Sequence, residues 1–143
     1  MAVKTAIVGL GIMGQRMLQQ MVCHEGYAPV ALWDPNPDAC RQALQLAPNA
    51  AIAANADEAI SAADLVYLAC PPVPRKAFAL LAARNGKSVF LEKPLGVDIT
   101  DSEYLVVQIE GLGVPAAVNF TQAAGDALMD VSQAAKSGAL GDV

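Results

Sequence analysis

The stretch Ala6-Ile7-Val8-Gly9-Leu10-Gly11-Ile12-Met13-Gly14 decides how this chain reads. An apolar run leads into it, and a helix-like segment, Gln15 to His24, leads out. In that context G-x-G-x-x-G describes a phosphate-binding loop. Gly9 permits the tight turn out of the strand, Gly11 lets the backbone approach a pyrophosphate, and Gly14 lets the helix pack closely on the sheet. The helix start, with Ile12 and Met13, offers free N–H groups and a partial positive charge to phosphates. The competing reading is an ordinary turn, because glycines mark those too.

An acidic residue at the matching distance favours the first reading. Asp34 ends the second apolar run, Pro29-Val30-Ala31-Leu32-Trp33, twenty residues past Gly14. A carboxylate there accepts hydrogen bonds from both adenosine ribose hydroxyls and repels a 2′-phosphate. NAD is therefore the expected cofactor, with NADP the alternative if Arg41 reaches a phosphate. Asp34 also reads as a turn residue before Pro35-Asn36-Pro37, where Asn36 caps a helix and Pro37 occupies its first turn. The two roles are compatible.

Composition narrows the class. The chain has 143 residues, enough for one domain with a real core. It is 55% hydrophobic and only 5% aromatic, which suits buried parallel strands under small-residue helices. Net charge is −5 and no basic run occurs, so nucleic acid is not an expected partner. No apolar stretch reaches transmembrane length, and the chain enters a strand at once rather than through a signal peptide. Cys23, Cys40 and Cys70 are odd in number and widely spaced, so a reducing cytoplasm is the expected compartment. His24 is the lone histidine, and no metal site is expected.

Strand and helix patterns alternate. Strands are expected over Val3 to Gly9, Val30 to Asp34, Ala51 to Ala54, Asp64 to Cys70, Lys87 to Leu91 and Pro115 to Asn119. Helices are expected over Met13 to His24, Asp38 to Leu46, a short turn capped by Asn55 with Glu58, and Arg75 to Arg84. Two more follow: one opened by Thr100 with Glu103 and running to about Glu110, and Gly125 to Ser137. This alternation implies an α/β fold, a doubly wound parallel sheet of six strands in three layers, of the Rossmann type. Parallel strands point their C-terminal ends to one edge, where ligands bind. Gly9–Gly14, Asp34, Cys70–Pro71, Glu92–Pro94 and Asn119 all fall there. Cys70 reads as a buried structural cysteine, and Met13, Met17 and Met21 as core.

Lys93 follows the apolar strand Ser88-Val89-Phe90-Leu91 and emerges at that edge. Oxidation of an alcohol removes hydride from carbon and a proton from oxygen, and a lysine beside a carboxylate handles the proton. On residue types alone, a surface ion pair before a loop proline is the stronger reading. The Lys93–Pro94 bond can be cis or trans.

The chain resembles the N-terminal domain of the glucose–fructose oxidoreductase / inositol dehydrogenase family. The matching pieces are the Gly9–Gly14 loop, Asp34 and, most specifically, Gly86-Lys87-Ser88-Val89-Phe90-Leu91-Glu92-Lys93-Pro94-Leu95-Gly96. The tail from Ala135 to Val143 resembles the family's linker helix and turn. The resemblance implies NAD(P)-dependent hydride transfer on a sugar or polyol. Lys93 would be the catalytic residue beside the nicotinamide, and Glu92 would support cofactor or lysine placement. It divides the chain into a dinucleotide-binding domain, 1–120, and a connecting segment, 121–143, leading to a substrate domain that lies outside this chain.

There are departures. Cys70-Pro71-Pro72 stands where the family has threonine-proline-asparagine, and Arg75 takes about the place of its histidine. Asn119-Phe120-Thr121-Gln122-Ala123 carries no arginine pair, which points to a neutral substrate. An exposed apolar face on the last helix points to a homo-oligomer. Two function classes remain open here: the cofactor domain of an oxidoreductase, and a non-catalytic NAD(H)-binding module or sensor. A nucleotide-sugar or CoA binder on the same fold is a third.

Overall fold

The structure, a computed structural model, describes residues 1–141. Six parallel strands form one sheet: β1 (Val3–Val8), β2 (Tyr27–Trp33), β3 (Ala51–Ile52), β4 (Leu65–Leu68), β5 (Ser88–Glu92) and β6 (Ala116–Asn119). Their order is β3-β2-β1-β4-β5-β6. The chain starts at the centre, winds out to one edge, then returns and winds out to the other. The reversal between β1 and β4 opens a crevice at the C-terminal edge.

The helices are α1 (Ile12–Cys23), α2 (Pro37–Leu46), α3 (Ala56–Ser61), α4 (Pro72–Arg84), α5 (Ile99–Leu112) and α6 (Asp126–Lys136). Successive strand residues face opposite layers. In β1, Ala6 and Val8 join the core beneath α3, α4 and α5, while Ile7 joins the core beneath α1 and α2. Fully buried Ala59, Ala79 and Ala82 keep the helices close to the first core. Of the methionine stripe, Met21 is buried and Met17 packs against the second core, while Met13 stays half-buried at the loop. Among its described residues α6 buries none, and it packs on the 3-10 turn Thr121–Ala124.

Several boundaries differ from the sequence reading. β2 starts at Tyr27, before Pro29 rather than after it. Thr5 pairs with Pro29 and Ala6 with Ala31, so the ladder shifts register where proline lacks an N–H. α4 starts at Pro72, three residues before Arg75, because prolines are well placed in a first turn. The expected Thr100 cap is wrong. Asp98 caps α5, its Oδ1 accepting from the Asp101 amide at 2.8 Å, and the helix begins at Ile99. Asn55 does accept from the Glu58 amide, but Glu58 reaches back to the Ala54 amide rather than to that of its cap. Asp142 and Val143, at the end of the expected linker turn, lie outside the described residues.

Asp98→Ala should destabilise the domain by about 1 kcal/mol in chemical denaturation, the usual cost of a lost N-cap. Thr100→Ala, outside the cap, should change it by less than about 0.5 kcal/mol.

Candidate functional site

The three loop glycines stand in three different environments. Gly9 has φ +94°, and a Cβ there would lie 2.4 Å from the Cys70 amide nitrogen. A Cβ on Gly14 would lie 1.9 Å from the Gly9 carbonyl oxygen, so only glycine lets α1 pack at this distance. A Cβ on Gly11 would meet nothing within 4 Å. That open space lies above the loop, where a diphosphate would need to approach. Gly11 is the N-cap of α1, and no side chain caps the helix. Gln15 is the first to bond back, its amide donating to Gly11 O at 3.0 Å. The amides of Ile12, Met13 and Gly14 precede it, at the positive end of the helix.

Asp34 lies just past the end of β2, beside this loop. Its Oδ2 accepts from the Leu10 amide at 2.7 Å and its Oδ1 from the Asn36 amide at 2.8 Å. Asn36 in turn accepts from the Asp38 amide and caps α2, as its sequence position implied. One carboxylate thus ties the glycine loop to the β2 turn, and each oxygen keeps acceptor capacity for a further donor. Arg41 is paired with Asp38 on the exposed face of α2.

Gly9, Gly11, Trp33, Asp34, Cys70, Pro71, Pro74 and Phe78 line one open cavity of about 450 Å³. Its wall is mostly apolar. The Trp33 ring meets Phe78 edge-on, with centroids 5.8 Å apart. Pro71, Pro72 and Pro74 strip N–H groups from the start of α4, so this helix end offers a flat apolar surface where α1 offers donors. Cys70 is buried, and burial pushes its thiol pKa up. This is the environment of a structural thiol.

The lysine end differs from expectation. Lys93 is exposed rather than desolvated, and among the described residues it makes no ion pair or side-chain hydrogen bond. It opens, across a cis bond to Pro94, on a second cavity of about 410 Å³ lined by Phe120, Thr121, Gln122 and Ala123. Glu92 does not pair with it. The Glu92 side chain is only 3% exposed, and its Oε1 accepts from Tyr67 Oη at 2.5 Å and from Asn119 Nδ2 at 2.6 Å. Burial, and then the Glu92 carboxylate, push the Tyr67 phenol well above its ordinary pKa, which keeps it a neutral donor. Any help Glu92 gives the lysine therefore passes through the backbone.

The structure thus brings Gly9, Gly11, Asp34, Cys70 and Pro71 around one cavity, with Ile12, Met13 and Gly14 at the helix start beside it. Lys93 stands at a second cavity on the same edge, with Glu92 and Asn119 beneath. Sequence reading missed Tyr67 altogether. Its only signal was a phenol inside an apolar strand. His24 is remote, accepting through Nδ1 from the Gly26 amide at the far end of α1. Among the described residues no group of three or more His, Cys, Asp or Glu side chains is placed to hold a metal, and no helix is long and apolar enough to cross a membrane.

Gly11→Val should leave thermal stability nearly unchanged while abolishing nucleotide binding in a calorimetric titration. Gly14→Val should instead lower stability by several kcal/mol, roughly the upper range for single changes, because it drives a side chain into the Gly9 carbonyl.

The family described as "Oxidoreductase family, NAD-binding Rossmann fold" matches residues 3–120. An inositol 2-dehydrogenase from Burkholderia multivorans is 35% identical over 101 residues, which are 68% of this chain and 30% of that protein. The myo-inositol 2-dehydrogenase of Lactobacillus plantarum superposes with a TM-score of 0.92 at 21% identity, over 100% of this chain and 43% of that one. The scyllo-inositol dehydrogenase of Lactobacillus casei, solved with NAD(H) and scyllo-inositol, gives 0.91 at 23% identity, over 99% and 43%. At such identities the structural matches establish the fold alone. The chain spans 28–30% of the length of the curated relatives it matches. From the glycine loop through Asn119, this chain belongs to that oxidoreductase family and is its NAD-binding Rossmann domain.

Proposed function

We propose that this chain is the cofactor half of a dehydrogenase that moves hydride between NAD and a hydroxyl-bearing carbon of a neutral sugar or polyol. The observation that carries this reading is the pairing of two cavities on one sheet edge. One is apolar and bordered by the Asp34 carboxylate; the other holds Lys93. The first takes the adenosine half, with Asp34 on the ribose hydroxyls and the diphosphate over Gly11 and the start of α1. When bound, the nicotinamide supplies the hydride acceptor or donor. Lys93 Nζ takes the proton from the substrate hydroxyl during oxidation and returns it to the carbonyl oxygen during reduction.

The absence of any other charged side chain from the described lining of the Lys93 cavity supports a neutral substrate. Relatives named as inositol dehydrogenases support the same class. Residues 1–120 act as the dinucleotide domain, and 121–143 lead toward a substrate domain. The exposed Leu128, Met129 and Val131 of α6 fit such a domain or a second copy in a homo-oligomer. The free thiols of Cys23, Cys40 and Cys70 fit a reducing cytoplasm.

Titration with NADH and NADPH, followed by Trp33 fluorescence and calorimetry, should show NADH tighter by about tenfold or more, a difference of about 1.4 kcal/mol. NADPH binding as tightly would overturn the role given to Asp34. In the intact protein, Lys93→Ala should lower turnover by about 10²–10⁴-fold and leave cofactor affinity within a few fold. Unchanged turnover would remove Lys93 from the mechanism, and no turnover in the intact wild-type protein would favour the second reading, a non-catalytic NAD(H) sensor.

A further inference from the structure

We propose that Arg75 is a positioning residue that couples occupancy of the nucleotide cavity to the turn carrying Lys93. The inference rests on the cofactor-site reading above and adds to it a path between the two cavities. Arg75 is only 3% exposed and lies in the second turn of α4. A buried guanidinium normally faces a carboxylate, because an uncompensated charge is costly to desolvate. Among the described residues it makes no salt bridge. Burial lowers its pKa, as expected for a cation removed from water. Its guanidinium instead makes four hydrogen bonds to three main-chain carbonyls.

Those carbonyls come from two loops. Nε and Nη2 both donate to Cys70 O, at 3.0 and 2.6 Å. Nη1 donates to Glu92 O, and to Pro94 O at 2.5 Å. Glu92 and Pro94 are the residues on either side of Lys93. Cys70 lines the nucleotide cavity. One planar group thus holds the loop after β4 with one edge and both flanks of the lysine with the other.

The need for such a group follows from the fold. Where parallel strands end, their last carbonyls lose ladder partners, and buried carbonyls require donors. Water would satisfy each one separately. A rigid fork satisfies them together, so displacement of one loop is felt by the other. A nucleotide that settles against Cys70 and Pro71 then also orders the Lys93 turn, before any substrate arrives.

ADP-ribose tests this, because it fills the adenosine and diphosphate positions and has no nicotinamide to touch Lys93. Amide hydrogen exchange is measured on the chain with and without saturating ADP-ribose. In the wild type, the amides of Lys93, Leu95 and Gly96 should slow by about fivefold or more, at the lower end of typical site-to-site coupling. In Arg75→Lys, whose single ammonium cannot span both loops, ADP-ribose should still protect Gly11 to Gly14 but change the lysine turn by less than about twofold. A purely structural role predicts faster exchange in the variant with or without ligand, and the same ligand-induced ratio; that result overturns the proposal. Wild-type binding with no protection of the lysine turn overturns it without any variant, so a misfolded Arg75→Lys leaves it testable. Failure of the wild type to bind ADP-ribose overturns the nucleotide site itself, and the coupling with it.

Discussion

A Cβ at position 14 would sit 1.9 Å from the Gly9 carbonyl oxygen, and the architecture of the sheet edge depends on that missing atom. It lets α1 begin almost on top of β1. The start of α1 is thereby held at the C-terminal edge, with its unpaired donors facing the crevice. Asp34 bonds Leu10 and so fastens the β2 turn to the same loop. Gly9 gives the clearance that lets Cys70 approach from β4. Three strand ends converge because two glycines leave no side chain between them.

Two helix starts meet at this edge with opposite chemistry. α1 opens with glycine and no capping side chain, so it presents amide donors. α4 opens with prolines, so it presents carbon. A dinucleotide has the same division, with a charged diphosphate beside an apolar base. The two ends of the cavity thus complement it through backbone chemistry more than through side chains. Asp34 adds a carboxylate to this lining, and its two backbone bonds hold it in place.

Beneath the lysine, polar groups are buried in pairs that satisfy one another. Tyr67, Glu92 and Asn119 share one carboxylate oxygen, and Arg75 collects carbonyls from two loops. No buried side-chain donor or acceptor among the described residues lacks a partner. Such groups are costly to bury unless satisfied, so the network holds the loops in one arrangement. Lys93 itself is left exposed, while the carbonyls on both sides of it are held by Arg75.

The amino-acid sequence by itself determined the alternating α/β pattern, the parallel sheet, the glycine loop and Asp34 as its acidic partner. It could do so because these depend on local spacing: turn chemistry, apolar runs and the distance from loop to strand end. It placed Asn36 and Pro37 correctly for the same reason. It erred at Thr100, where Asp98 two residues earlier competes for the same role and three-dimensional reach decides. The ion pair that chain adjacency suggested for Glu92 and Lys93 does not form, since successive residues of an extended chain face opposite ways. Only the tertiary structure decided that Glu92 turns inward to Tyr67 and Asn119, residues 25 and 27 positions away. It alone showed that Arg75 spans the carbonyls of Cys70, Glu92 and Pro94. Such contacts join separate strands through burial, and no local pattern encodes which distant carbonyl a buried donor will find.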